Sequence, residues 1–282
     1  MPTLKPSKGL LRRVFTSIPF FVILGLGLGA LISIPLVPKP NVATITISGP
    51  ILDQAHAEDI LELLRQAGED HSIKAVVLQI DTPGGVASAV EPIYLDVLRL
   101  RQHKPVVTSI GMMGLSGGYY IAVASNFIYA EPTSQVGSIG AWSTLPTTEE
   151  LEEHVITSGP FKATGGPRRK YMSVLETFRQ QFVTAVTSQR GDRLKMSEDE
   201  LSRAEIYTGT EGLRRGLIDD IGTSTAAIEK AASLAGIRNY AVVELELPES
   251  TTLNYPSPSN IKELRSQTST VPIYYYLYFE SE

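Results

Sequence analysis

Apolar and polar residues alternate through VATITIS, residues 42–48, and the run stops at Gly49-Pro50, which predicts a strand closed by a turn. Over residues 56–67 the period changes, with Ile60, Leu61, Leu63 and Leu64 recurring at helical spacing. KAVVLQID, 74–81, is a short β-branched run and predicts a buried strand; TPGGVASA then breaks it and opens a helix near 87–102. The same alternation follows with a strand over 104–111 (KPVVTSIG), a helix beginning at 116–118 and a strand over 126–132 (NFIYAEP). Strands alternating with helices imply an α/β layered domain. Further on, the pattern predicts a long helix at about 171–190, shorter ones near 197–203 and 223–235, and a last strand over 240–247 (YAVVELEL). No internal repeat recurs at a fixed period. Residues 249–270 are rich in Ser, Thr, Pro and Asn and read as a flexible tail, ending in the aromatic, β-prone VPIYYYLYF. Such an end either adds a strand to its own body or a neighbouring subunit, lies in a substrate groove as a peptide mimic, or stays disordered or against a membrane.

One stretch breaks the globular pattern. IPFFVILGLGLGALISIPLV, residues 18–37, carries no charge, and about 20 apolar residues suffice to cross a bilayer as a helix. Lys5, Lys8, Arg12 and Arg13 precede it and only Lys39 follows closely, so the positive-inside rule leaves the N-terminus in the cytoplasm and exports the rest. A cleaved signal peptide is the rival reading, but the apolar run exceeds the usual signal core and no A-x-A-like site follows. The expected organisation is a basic cytoplasmic N-terminus (1–17), a single transmembrane signal anchor (18–38), a catalytic-sized domain (39–248) and a tail (249–282).

Composition narrows the chemistry. The chain of 282 residues is 43% apolar and 20% charged, enough for a sizeable core. Its net charge is −5, and because the first 17 residues carry four cations and no acid, the remainder is at −9. So acidic a body argues against a nucleic-acid partner. The absence of cysteine removes disulfides, thiolate metal sites and a cysteine nucleophile together.

Three loops follow three of the predicted strands: DTPGG (81–85), GLSGGYY (114–120) and VGSIGAW (136–142). Loops at one end of neighbouring strands can converge on one site. Ser116, set among glycines, suits an exposed nucleophile, although the same glycines also suit a tight helix joint. A serine needs a base. His56, His71, His103 and His154 all lie in polar surroundings and read as surface residues, so local context does not support a Ser-His-Asp triad. Lys162, in SGPFKATGG, has an apolar and small-residue setting. Desolvation disfavours the ammonium, and a neutral amine can take the serine proton, so Lys162 is the alternative base, against the plainer reading of a loop lysine.

Taken together, ISGPI, IDTPGG, KPVV, GLSGGYYIA, VGSIGAW, TSGPFKATGGPRR and YTGTEGLRRGLIDDIG, in this order and spacing, make residues 42–237 resemble the signal peptide peptidase A group of serine/lysine proteases, family S49, with a ClpP/crotonase-like fold. SGGYY with GSIG some twenty residues later carries most of the specificity. The resemblance implies Ser116 as nucleophile, Lys162 as general base, Ser138 as the hydroxyl orienting that lysine, and the backbone amides of Gly85 and Gly117 as the oxyanion hole. It implies a membrane-anchored serine endopeptidase that cuts hydrophobic peptides such as spent signal peptides, assembled as a homo-oligomer and using no cofactor or metal. Two positions depart from the family pattern: Gly114-Leu115 stands where the family usually has Ala-x before the serine, and DTPGG where it often has SPGG, closer to the related NfeD-type membrane proteases. A crotonase-like acyl-CoA enzyme and a catalytically silent membrane scaffold are the other readings of the same fold; an export orientation argues against the former, since CoA is cytoplasmic.

Overall fold

The computed structural model describes residues 18–33, 39–144, 158–159, 161–162, 165–247 and 274–278. The chain divides into two units, residues 1–39 and 40–282, which are taken separately. In the first, the apolar segment forms helix α1, Ile18–Ser33, of 16 residues. Residues 34–38 of the anchor expected over 18–38 lie outside the described residues, and among the described residues no helix is long and apolar enough to cross a membrane. At 1.5 Å per residue, the described part of α1 reaches about 24 Å.

The second unit follows the strand–helix alternation closely. Its elements are β1 (Asn41–Ser48), α2 (Gln54–Glu69), β2 (Ile73–Thr82), β3 (Gly84–Val86), α3 (Ala87–Leu100), β4 (Val106–Leu115), α4 (Gly117–Ala122) and β5 (Phe127–Ala130). Then come β6 (Gln135–Gly137), β7 (Trp142–Ser143), α5 (Arg168–Arg190), α6 (Glu198–Leu201), β8 (Ile206–Thr208), α7 (Gly209–Arg215), β9 (Asp220–Ile221), α8 (Ser224–Leu234), β10 (Ala241–Glu244) and β11 (Tyr274–Leu277). The main sheet has eight strands, ordered β10-β1-β2-β4-β5-β9 along a path of parallel pairs. β6 pairs parallel with the end of β4, and β8 pairs antiparallel with β6. The expected mixed α/β architecture with a parallel sheet is what forms.

The period of two along the central strands divides the core between the two faces. In β2, Val76, Leu78 and Ile80 join the large cluster that also holds Ile60 and Leu64 of α2, Ile93 and Val97 of α3 and Phe182 of α5. The intervening Ala75 and Val77 join a smaller cluster with Val42, Val107 and Ala227 and Ala231 of α8. A sheet covered on both faces demands near-continuous apolar strands, which is why KAVVLQID reads as a β-branched run rather than a polar/apolar alternation.

The helix starts obey local chemistry. Asp53 caps α2 by accepting from the His56 amide at 2.8 Å, and reciprocal capping boxes, Ser197 with Glu200 and Thr208 with Glu211, open α6 and α7.

Candidate active site

The site is assembled where β2, β4 and β6 end together. Register places Thr82 of β2 opposite Gly114 of β4, and Leu115 of β4 opposite Gly137 of β6. The loops carrying Gly84-Gly85, Ser116-Gly117 and Ser138 therefore leave the sheet side by side at its carboxyl end.

Ser116 stands on the sharp turn between β4 and α4. Its backbone is at φ 50 and ψ −116, and its residue surface is 2% exposed. Ser138 has φ 55, so two of the three non-glycine residues with positive φ among the described residues are the two candidate site serines. Such backbone costs about 1–3 kcal/mol per residue and persists only where the surroundings enforce it. The enforcement here is visible. The Ser116 amide donates to Gly137 O at 2.8 Å, the Ser138 amide donates to Glu205 O at 2.9 Å, and Ser116 O accepts from the Tyr120 amide at 2.9 Å. The two serines are thereby tied into one backbone network across adjoining strand ends.

The glycines are required by packing. Gly84 has φ +100, and a β-carbon there would sit 2.5 Å from the Gly117 amide nitrogen. A β-carbon on Gly85 would collide with Ile51 O, and one on Gly118 would lie 2.7 Å from Thr82 Cγ2. The Pro83-Gly84-Gly85 turn is pinned by Thr82, whose fully buried hydroxyl donates to Gly49 O at 2.5 Å and accepts from the Gly84 amide at 3.0 Å. Asp81 Oδ1 accepts from the Met113 amide at 3.1 Å and ties this loop to β4. The Asp-Thr pair that departs from the family pattern thus has a structural use in this chain.

Behind α4 lies a brace that sequence reading does not identify. Tyr119, fully buried, donates its hydroxyl to Leu217 O at 2.7 Å. Two residues on, Asp219 receives a bidentate pair from the buried Arg190 guanidinium at 2.8 and 2.9 Å, and its Oδ2 also accepts from the Ile128 amide. Arg190 Nε donates to Gly216 O at 2.7 Å. Burial pushes the Tyr119 phenol above its ordinary range, which keeps it a donor.

Gly85, Gly117, Ser116 and Ser138 are therefore brought to one place. Lys162 is exposed, next to Phe161, which is also exposed. Among the described residues no hydrogen bond or ion pair joins its amine to Ser116, Ser138 or a carboxylate. The apolar surroundings expected from the sequence leave Lys162 exposed, as are the neighbouring Ser158, Gly159, Phe161 and Gly165 among the described residues. Of the histidines, His71 and His103 are exposed, His56 lies in the first turn of α2 with its pKa lowered by burial, and His154 falls outside the described residues.

A short strand covers the glycine loops. β11 lies between β3 and β7, antiparallel to both, in a separate three-stranded sheet. The Tyr276 ring is completely buried against Tyr120, Phe178 and Phe182, and its hydroxyl donates to Phe178 O at 3.0 Å. An open groove of about 490 Å³, lined by Glu91, Tyr94, Gln181 and Gln189, adjoins this pocket at Tyr120. The Glu91 carboxyl is raised above its usual range by burial alone.

The family model of peptidase family S49 matches residues 99–238. Protease 4 of Haemophilus influenzae is 30% identical over 227 residues, covering 73% of this chain and 37% of that protein. A putative protease of Synechocystis sp. is 30% identical over 213 residues, covering 71% of this chain and 76% of that protein. Among solved structures, the 1510-N membrane-bound stomatin-specific protease, in a serine-to-alanine mutant, superposes with a TM-score of 0.50 at 18% identity, over 75% of this chain and 100% of its own, a likeness of fold. The chain belongs to peptidase family S49, as the resemblance of its motifs implies. It spans little more than a third of the length of the Haemophilus relative.

Proposed function

We propose that this chain is a serine endopeptidase in which Ser116 is the nucleophile and Lys162 the general base. The observation that carries the reading is the seat of Ser116: a strained, buried strand-to-helix turn held against the Gly84-Gly85 and Gly117 backbone. In this reading Ser116 Oγ attacks a peptide carbonyl as the Lys162 amine takes its proton. The amides of Gly85 and Gly117 receive the developing oxyanion, and each such donor is worth about 2.7–4 kcal/mol. Lys162 passes the proton to the leaving amine and then activates the water that hydrolyses the acyl-enzyme. Ser138, one residue beyond the carbonyl that holds the Ser116 amide, is the orienting hydroxyl. Desolvation of Lys162 has to come from outside this chain's own fold, from a second copy or from the substrate, which favours a homo-oligomer as the working form.

The substrates proposed are extended, hydrophobic peptides such as spent signal peptides. A peptide taken as a strand between β3 and β7 uses its main chain for affinity and alternate side chains for selection. The apolar N-terminal segment and its flanking cations favour a membrane-anchored enzyme with a cytoplasmic N-terminus and an extracytoplasmic catalytic domain of ClpP/crotonase-like type. Incubation with unfolded hydrophobic peptides, with cuts mapped by mass spectrometry, tests the activity. The wild-type chain is expected to cut them and Ser116→Ala to lose at least about 10³-fold in rate with an unchanged thermal melt. Undiminished cleavage by Ser116→Ala would remove Ser116 from the chemistry.

A further inference from the structure

The open groove beside Tyr120 holds a charge that nothing in the chain balances. It runs between α3 and α5, and Glu91 and Tyr120 both line it. Glu91 is half-buried. Among the described residues its carboxyl enters no ion pair, and burial is the sole influence that raises its pKa. A carboxylate drawn out of water with no cation beside it costs free energy, and a ligand that brings the cation recovers it. Arg101, just past the end of α3, does not serve. Its guanidinium donates to Ala124 O at 2.8 Å, to Ser125 O at 3.2 Å and to Gln189 Oε1, and Gln189 in turn hydrogen-bonds the Tyr94 hydroxyl.

The walls of the groove suit a long cationic side chain. From α5 come Gln181 and Thr184, neutral groups whose oxygens accept from a cation. The Tyr120 hydroxyl makes no hydrogen bond among the described residues, and its pKa is raised by burial first, then by Tyr94 and Glu91, so it lies near the same carboxyl. The Tyr94 and Tyr120 rings, with centroids 4.3 Å apart, add an aromatic wall that attracts an ammonium or guanidinium. Leu95, exposed at the rim, offers apolar surface to the stem of such a side chain. The groove also lies close to the site loops. α3 starts at Ala87, directly after β3, and α4 starts directly after Ser116. Glu91 stands four residues beyond Ala87 and Tyr120 four beyond Ser116, about 6 Å along each helix at 1.5 Å per residue. A lysine on its four-carbon stem covers a distance of that order.

We propose that this groove is a subsite for a cationic side chain, lysine or arginine, of a peptide held at Ser116, and that Glu91 selects it. This rests on the reading of Ser116 as the nucleophile of a peptidase, and it adds one basic residue to the hydrophobic peptides taken there. Glu91 touches the side chain of the peptide and not the bond that is cut, so its part is in selection.

The test needs no catalysis and uses full-length Ser116→Ala. The probes are fluorescein-labelled hydrophobic peptides, blocked at both ends, with a single lysine moved along the sequence, and the same set with norleucine, which keeps the stem and lacks the charge. At one position the lysine peptide is expected to bind at least about tenfold more tightly by anisotropy, the size of one hydrogen bond to a charged group. Glu91→Gln is expected to bring that peptide to the norleucine level, and Glu91→Lys to favour a glutamate at the same position instead. A second measurement stands apart from the peptides. Carbodiimide coupling of glycine ethyl ester to Glu91, mapped by mass spectrometry, is expected to be suppressed by n-butylguanidinium and not by n-butanol. Measurable binding with equal affinities at every position, a lysine preference that survives in Glu91→Gln, or coupling unaffected by n-butylguanidinium would overturn the proposal. If n-butylguanidinium protects Glu91 while neither peptide set binds, the cation groove stands and the reading of Ser116 as the seat of a peptide fails.

Discussion

Ser116 and Lys162, the two residues proposed to share one proton, stand in opposite environments. Ser116 is 2% exposed, holds a backbone conformation that few residues adopt, and is tied by its amide and carbonyl to β6 and α4. Lys162 is exposed, and its amide makes a long turn contact with Gly159 O at 3.4 Å. The difference teaches where the cost of pre-organisation is met. The proposed nucleophile and its proposed amide donors are positioned by the fold of one chain. The proposed base is exposed, and in the proposed mechanism its low-dielectric setting is completed on assembly or on substrate binding.

If the nucleophile side is positioned by the fold, removing its brace carries the largest stability effect. Arg190→Ala leaves Asp219 buried with only the half-exposed Arg193, at 2.9 Å, as its ion-pair partner, and loss of one member of a buried pair costs up to about 3–5 kcal/mol. Urea denaturation is expected to show that loss, and a change below about 1 kcal/mol would detach the brace from the account. Ser138→Ala is expected to slow peptide cleavage by about tenfold without abolishing it, since an orienting hydroxyl contributes on the order of one hydrogen bond. A loss as complete as that of Ser116→Ala would require the roles of the two serines to be exchanged. The smallest effect belongs to Lys162→Ala on stability: an exposed position predicts a change within about 0.5 kcal/mol. A larger destabilisation in the isolated chain would show that Lys162 is already packed there, and the contrast with Ser116 would fail.

The same contrast governs what could be read from the sequence. The α/β layering was legible because β1 is an alternating run and β2 a β-branched apolar run, each bounded by glycine and proline, with helical spacing between them. Ser116, Ser138, Gly85 and Gly117 were legible because close backbone approach leaves a glycine signature. β4 runs on to Leu115, beyond the expected end at 111, since its last residues pair with β6, a three-residue strand too short to give a periodic pattern. Arg190 and Asp219 stand 29 positions apart in segments that look like ordinary surface charge, and burial of an ion pair leaves no local trace. The aromatic end was recognisable as a segment in need of a partner, while the choice of β3 and β7 depends on edges that exist only once the loops are folded. For Lys162, small and apolar neighbours in sequence do not say whether the side chain is buried, and in this chain it is exposed. The flexible character expected of 249–270 lies outside the described residues.

The most direct test of the account is labelling of Ser116 by a small acylating or phosphonylating serine probe, followed over time by intact-mass spectrometry. The full-length chain is expected to gain one adduct, mapped to Ser116, and Ser116→Ala none. Lys162→Arg keeps a positive charge at the same place but cannot surrender a proton, so it is expected to label at least about 10²-fold more slowly. Labelling of Lys162→Arg at the wild-type rate would contradict the account, because Ser116 would then be activated without Lys162.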